Sequence, residues 1–277
     1  MADIVRPVAW FAAGAALTWL LDHHWPRHRF RHMAHDLQRA LRRDEFELHY
    51  QPFVDLPSGR WVGFEALVRW RNRNGSFISP ELFLPIAAET GLIEPISERV
   101  VELAARDMCP LLLERRDLHI GINVPPALLG RGTLGVLAAR CGLSELASQV
   151  IIEITETGLV DDLGRAAVRT ARAMGARVAI DDFGTGLNGL AQLQDLEIDL
   201  IKIDKSFVRK IGTPSPGAKL VDAVVTIADE LGADVVAEGV ETQWQADYLA
   251  ALGVAYGQGW LFSRPLTLDE VRARLGG

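Results

Sequence analysis

Eight short apolar runs with strand character recur over about 230 residues of this chain, and most are separated by segments with helical periodicity. The strand-like runs are residues 46–54, 61–70, 119–124, 150–155, 177–182, 199–204, 234–240 and a last piece at 257–262. Amphipathic helical patterns fill residues 94–108, 163–174, 218–231 and 242–252, with Gly or Pro near several of their ends. Strands alternating with helices make parallel βα units, and eight of them predict a (β/α)8 barrel. The first two runs break the rule. Only residues 55–60, DLPSGR, join them, too few for a helical crossover, so they should pair as an antiparallel hairpin. The expected fold is α/β, a TIM-like (β/α)8 barrel with an antiparallel first strand.

At 277 residues and 49% hydrophobic content, the chain has ample material for such a core. A net charge of −7, with basic residues spread through the sequence, argues against a nucleic-acid polymer as partner. Cys109 and Cys141 form no metal-binding spacing and read as ordinary reduced thiols.

In a parallel barrel, side chains alternate between lumen and helix layer, and chemistry sits at the C-terminal ends of the strands. Applied to these runs, that alternation puts Glu65, Asn123, Glu153, Asp181, Lys202 and Glu238 near the ends of six strands, each between apolar neighbours. Asp182 follows directly, in VAIDDFGTGLNGL (178–190). Lys202 and Arg69 are too few to neutralise Glu65, Glu153, Asp181, Asp182 and Glu238, and an unpartnered buried carboxylate is costly. Divalent cations are the remedy, and a donor set of carboxylate and amide oxygens favours Mg2+ or Mn2+ over Zn2+. A turn after Asp181 is needed to bring Asp182 to the same side, with Gly184, Gly186 and Gly189 supplying the freedom. Two metal ions side by side suit hydrolysis of a phosphodiester. Lysine occurs only at 202, 205, 210 and 219, so Lys202 in the lumen is positioned to orient water or phosphate, and Glu238 to ligate or accept a proton.

The N-terminus differs in kind. Residues 4–21 are apolar except for Arg6 and Thr18, and residues 23–32, HHWPRHRFRH, are basic and aromatic. Eighteen residues of helix span about 27 Å, close to a bilayer core of about 30 Å. A short hydrophobic helix tethering the chain to the inner membrane is the favoured reading, with Arg27, Arg29 and Arg31 holding the following domain in the cytoplasm. A partner-docking amphipathic helix is the alternative, and a secretory signal fits poorly because the basic residues follow the apolar run. The division expected is residues 1–30 for this segment and its basic linker, with a leading helix at 31–43, and 31–277 for the barrel.

The ordered motifs YQPFVDL, WVGFEALVRW, INVPP, IIEITET, IDDFGTG, IDLIKIDKSFV, VVAEGVET and QGWLFSRPL resemble the EAL-domain family of cyclic di-GMP phosphodiesterases, from about residue 36 onward. The resemblance implies a homodimer that uses two Mg2+ or Mn2+ ions to hydrolyse cyclic di-GMP to linear pGpG. By position it makes Glu65, Asn123, Glu153, Asp181 and Asp182 metal ligands, Lys202 the lysine of water activation, and Glu238 a ligand or base. It places Glu156 as the anchor of the loop after Asp182, Arg69 on a substrate phosphate, and Gln51, Leu67, Asp204 and Gln258 around substrate and the metal-water network. The family usually continues D-D-F-G-T-G with Tyr-Ser-Ser-Leu, where this chain has Leu187-Asn188-Gly189-Leu190. That departure leaves a catalytically weak receptor or docking module as the second reading. No GGDEF-type cyclase motif or sensor is recognisable, so a regulatory partner in trans is expected.

Overall fold

The computed structural model describes residues 27–130, 132–159, 162–184, 196–214 and 216–276. Its elements in chain order are α1 (Arg27–Arg42), β1 (Phe46–Asp55), β2 (Trp61–Arg71), β3 (Phe77–Ile78), α2 (Pro80–Glu89), α3 (Ile93–Glu114), β4 (His119–Asn123), α4 (Pro126–Gly130) and α5 (Thr133–Cys141). There follow β5 (Val150–Thr155), α6 (Asp162–Ala173), β6 (Arg177–Phe183), β7 (Leu200–Ile203), α7 (Lys205–Val208), α8 (Pro216–Leu231), β8 (Asp234–Glu238), α9 (Gln243–Ala251), β9 (Tyr256–Gln258) and α10 (Leu268–Leu275). The apolar residues 4–21 lie outside the described residues. Among the described residues, no helix is long and apolar enough to cross a membrane.

Strands run β1-β9-β8-β7-β6-β5-β4-β2, and β1 also pairs with β2, which closes an eight-stranded barrel with β3 appended to β2. From β2 through β4 to β9 the pairings are parallel, whereas β1 is antiparallel to both its neighbours. The reversed first strand is therefore present as expected. Its hairpin is turned by Gly59 at φ +69° and by Asp55, whose carboxylate accepts the Ser58 amide at 2.9 Å and also its hydroxyl. The seam between β1 and β9 is short, pairing only Val54 with Gly257 and Asp55 with Tyr256.

The parallel strands are near-continuous apolar runs, such as VIIEIT in β5, because helices cover one face and the lumen the other. A large outer core joins strands to helices, and a separate inner cluster of Phe53, Ile151, Ala179, Leu200 and Val236 fills the barrel interior. Several expected boundaries shift. The leading helix begins at Arg27, so a division at 30/31 falls inside it, and the last strand is Tyr256–Gln258, with turns over the rest of 257–262.

Candidate active site

The inner cluster is the floor on which the site stands. Two residues beyond Ile151, Ala179, Leu200 and Val236 on their own strands come Glu153, Asp181, Lys202 and Glu238. Period-two alternation thus raises each lumen position from an apolar tier to a polar one. On reversed β1 the step runs the other way, from Phe53 to Gln51, which stands opposite Glu65 of β2. Gln258 closes the ring, two residues after Tyr256, which packs against the floor.

Lys202 is the hub. Its side chain is 1% exposed, and Nζ lies 2.6 Å from Glu153, 2.8 Å from Glu238, 3.0 Å from Asp181 and 3.4 Å from Glu65. Burial works against the ammonium, but these carboxylates raise its pKa well above the ordinary lysine value. Glu65 is clamped from two sides, by Asn123 Nδ2 donating to Oε1 and Gln258 Nε2 donating to Oε2, both at 2.8 Å. Glu153, which pairs in register with Asn123, fits because β4 carries glycine two residues earlier, under its carboxylate: a Cβ on Gly121 would come within 2.0 Å of Glu153 Oε1. Burial and the neighbouring charge of Glu65 push the Glu153 carboxyl well above the usual carboxylate range.

Asp182 reaches the site by its own backbone. It adopts φ +55°, uncommon for a non-glycine residue, while the β6–β7 register shifts between Ile180 and Phe183. The turn expected from glycines is thus made first by Asp182 and then by Gly184 at φ +95°; Gly186 and Gly189 lie outside the described residues. Glu156 Oε2 accepts the Gly184 amide at 3.0 Å and so secures the exit of β6. Burial, then the charges of Asp181 and Asp204, raise the Asp182 carboxyl from 3.8 to about 6.

Two groups of carboxylates are close enough to hold metal ions: Glu65, Glu153 and Asp181, and then Asp181, Asp182 and Glu238. Asp181 belongs to both. The donors are all oxygens, four carboxylates share one ammonium, and Glu153 Oε1 and Gln258 Oε1 are buried with no hydrogen-bond partner among the described residues. These residues fit hard divalent cations.

Two cavities open beside the tier. One, of about 300 Å³, is bordered by Gln51, Glu65, Leu67, Asp181, Glu238 and Gln258, with Lys205, Arg209 and Trp260 at its outer edge. The other, of about 520 Å³, joins Leu67, Arg69, Asn123 and Glu153 to an apolar wall from α2 and α3. Of the expected substrate contacts, Gln51 donates to the Ser263 carbonyl at 3.4 Å, and Arg69 to the Val68 carbonyl at 2.9 Å. Asp204 caps α7, accepting the Ser206 amide at 2.9 Å. Lys205, Arg209 and Trp260 were not foreseen from sequence. For Lys205 a signal existed, since a helix starting just after a barrel strand presents its first turn to the mouth, whereas Arg209 follows the end of α7.

The EAL domain model matches residues 34–265. The probable cyclic di-GMP phosphodiesterase PdeB of Escherichia coli (strain K12) is 36% identical over 239 residues, which is 85% of this chain and 46% of that protein. The bifunctional diguanylate cyclase/cyclic di-GMP phosphodiesterase MucR of Pseudomonas aeruginosa is 37% identical over 87% of this chain and 36% of its own length. The chain thus spans about half or less of the curated relatives it matches. Among solved structures, the PaMucR phosphodiesterase in complex with c-di-GMP superposes with a TM-score of 0.80 at 36% identity, covering 87% of this chain and 99% of that one. The FimX EAL domain of Pseudomonas aeruginosa bound to c-di-GMP gives 0.73 at 25% identity, over 83% and 94%. With ordered motifs, a barrel closed through a reversed strand and a match spanning most of its length, the chain belongs to the EAL domain family.

Proposed function

We propose that this chain is a metal-dependent phosphodiesterase that hydrolyses cyclic di-GMP to linear pGpG and so lowers the concentration of the second messenger. The observation that carries the reading is the pair of oxygen-only carboxylate groups sharing Asp181 beside Lys202, in a family whose relatives bear this activity in their names. Water adds to a phosphorus, the bond from phosphorus to one 3′ oxygen breaks, and that oxygen leaves with a proton, which gives a 5′-phosphate and a free 3′-hydroxyl.

Glu65, Glu153, Asp181, Asp182 and Asn123, with Glu238 beside them, would hold two Mg2+ or Mn2+ ions. When bound, these ions lower the pKa of water and neutralise phosphate charge. The chain supplies the rest. Asn123 and Gln258 fix the Glu65 carboxylate so that its oxygens cannot rotate away. Lys202, held as an ammonium by its carboxylates, orients the attacking water instead of taking its proton. Glu238, 2.8 Å from Lys202 and on the wall of the cavity, is the group placed to take that proton. The wall with Leu67 and Arg69 and the edge with Gln51, which border the carboxylate tier, would receive the substrate. The reading includes a homodimer, a regulatory partner in trans, and a cytoplasmic domain tethered to the inner membrane through residues 4–21.

The test is turnover of cyclic di-GMP by the full chain with Mg2+, Mn2+ or EDTA, products being separated by chromatography and ligand binding measured in Ca2+. Linear pGpG formed only with Mg2+ or Mn2+, and lost in Glu65→Ala, is expected. The sequence departure at Leu187-Asn188-Gly189, outside the described residues, favours one alternative, a receptor or docking module. Tight binding without product would establish that instead.

A further inference from the structure

We infer that the exposed face of α1 is a basic surface that rests on anionic lipid headgroups and fixes how the barrel sits on the membrane; this builds on the tether reading for residues 4–21. The helix is a fixed part of the domain. Leu37 and Ala40 are wholly buried, and Met33, Ala34 and Leu41 pack against the same core, which ties α1 to α2 and α3. The opposite face carries His32, His35, Gln38, Arg39, Arg42 and Arg43, all exposed and spaced three or four residues apart along one stripe. Its one acid, Asp36, is paired with Arg39.

Charge distribution and reach select lipid as the occupant. Residues 27–43 hold six arginines and one aspartate, a local surplus of five positive charges in a chain whose net charge is −7. Only residues 22–26 separate the apolar run from α1. Five extended residues span about 17 Å at most, so a membrane-inserted run keeps the start of α1 within roughly two Debye lengths of the headgroups, and a helix lying along the surface brings the rest of its exposed face as near. An anionic leaflet attracts each nearby arginine by about 1 kcal/mol, a factor of about five in partitioning. Because α1 is packed onto α2 and α3, contact there orients the whole barrel instead of leaving it on a swinging linker.

The experiment places a nitroxide on His35→Cys in the full chain carrying Cys109→Ala and Cys141→Ala. The chain is mixed with neutral phosphatidylcholine vesicles or with vesicles containing 30% phosphatidylglycerol, after confirming that the labelled protein keeps the wild-type circular dichroism. Vesicle flotation and protection of the label from a water-soluble nickel relaxant are read together. Flotation on both vesicles, with protection at least threefold greater on the anionic ones and lost in Arg39→Glu/Arg42→Glu/Arg43→Glu, is the expected result. Flotation on both with equal exposure of the label overturns the basic face and leaves the tether standing. Flotation on anionic vesicles alone, reversed by 1 M salt and cut by at least about 100-fold in the triple variant, supports the face and removes the tether. Flotation on neither overturns both.

Discussion

Replacing Lys202 with methionine tests the electrostatic account of the site most directly. The ammonium is 1% exposed and stands within 3.4 Å of four carboxylates, so its removal leaves several buried negative charges facing one another. Removing one partner of a buried ion pair costs about 3–5 kcal/mol. For a domain of this size each kcal/mol moves Tm by about 2–4 °C, so the metal-free variant should melt roughly 6–20 °C below wild type at pH 8. The carboxylates can relieve the deficit by taking up protons, so the gap should narrow at pH 5. Mn2+ supplies the missing positive charge, and its addition should raise the variant's Tm by more than it raises that of wild type, although turnover is lost. Thermal unfolding by circular dichroism in EDTA and in Mn2+, at both pH values, decides the matter. A metal-free variant melting within 2 °C of wild type at pH 8 would refute the argument that Lys202 is the main internal counter-charge.

Three further outcomes follow from the geometry. Gly121→Ala should push Glu153 out of place, because the new Cβ would lie 2.0 Å from its Oε1; a stability loss of about 1–3 kcal/mol and a Mn2+ affinity weakened at least tenfold by calorimetry are expected. Asp182, raised from 3.8 to about 6, holds a proton more tightly folded than unfolded, so the metal-free protein should lose stability as pH rises from about 4 to 6. Asp182→Asn should therefore match wild type near pH 4 and exceed it above pH 6 in urea titrations with EDTA, and a variant less stable than wild type at pH 7 would contradict this. The Tyr50 hydroxyl, fully buried, donates to Asp107 Oδ2 at 2.9 Å, so Tyr50→Phe should cost about 1.5–3 kcal/mol in the same titrations, with metal affinity unchanged.

Strand positions were legible because continuous apolar runs ending in single polar residues are what a lumen-facing barrel strand requires. The reversal of β1 could be deduced because six residues cannot make a crossover. The helix Pro80–Glu89 was hidden by prolines at 80 and 85, which read as breakers; in the fold Pro80 opens the helix while Phe83, Ile86 and Ala87 bury its face. The short helices α4 and α5 have too few turns for a period to emerge. In the site, the polar tier followed from alternation, but the hand of the turn at Asp182 did not. A positive φ on an aspartate is imposed by tertiary context, and of the glycines expected to make the turn Gly184 does take part, at φ +95°. Trp260 escaped because its place at the cavity edge depends on how the segment after β9 folds over the mouth.

The two-pair seam between β1 and β9 has a bearing on synthesis. Glu65 leaves the ribosome among the first strands and Gln258 with the last, yet the one is held by the other across 193 positions of sequence. A nascent chain shows unsatisfied β-edges until its final strand emerges, which makes it a client for chaperones and a target for proteases in that interval. The same order works as a proofreading step. A ring broken off before Gln258 would lack one clamp on Glu65, so the carboxylate tier is complete only when translation has run through to the closing strand.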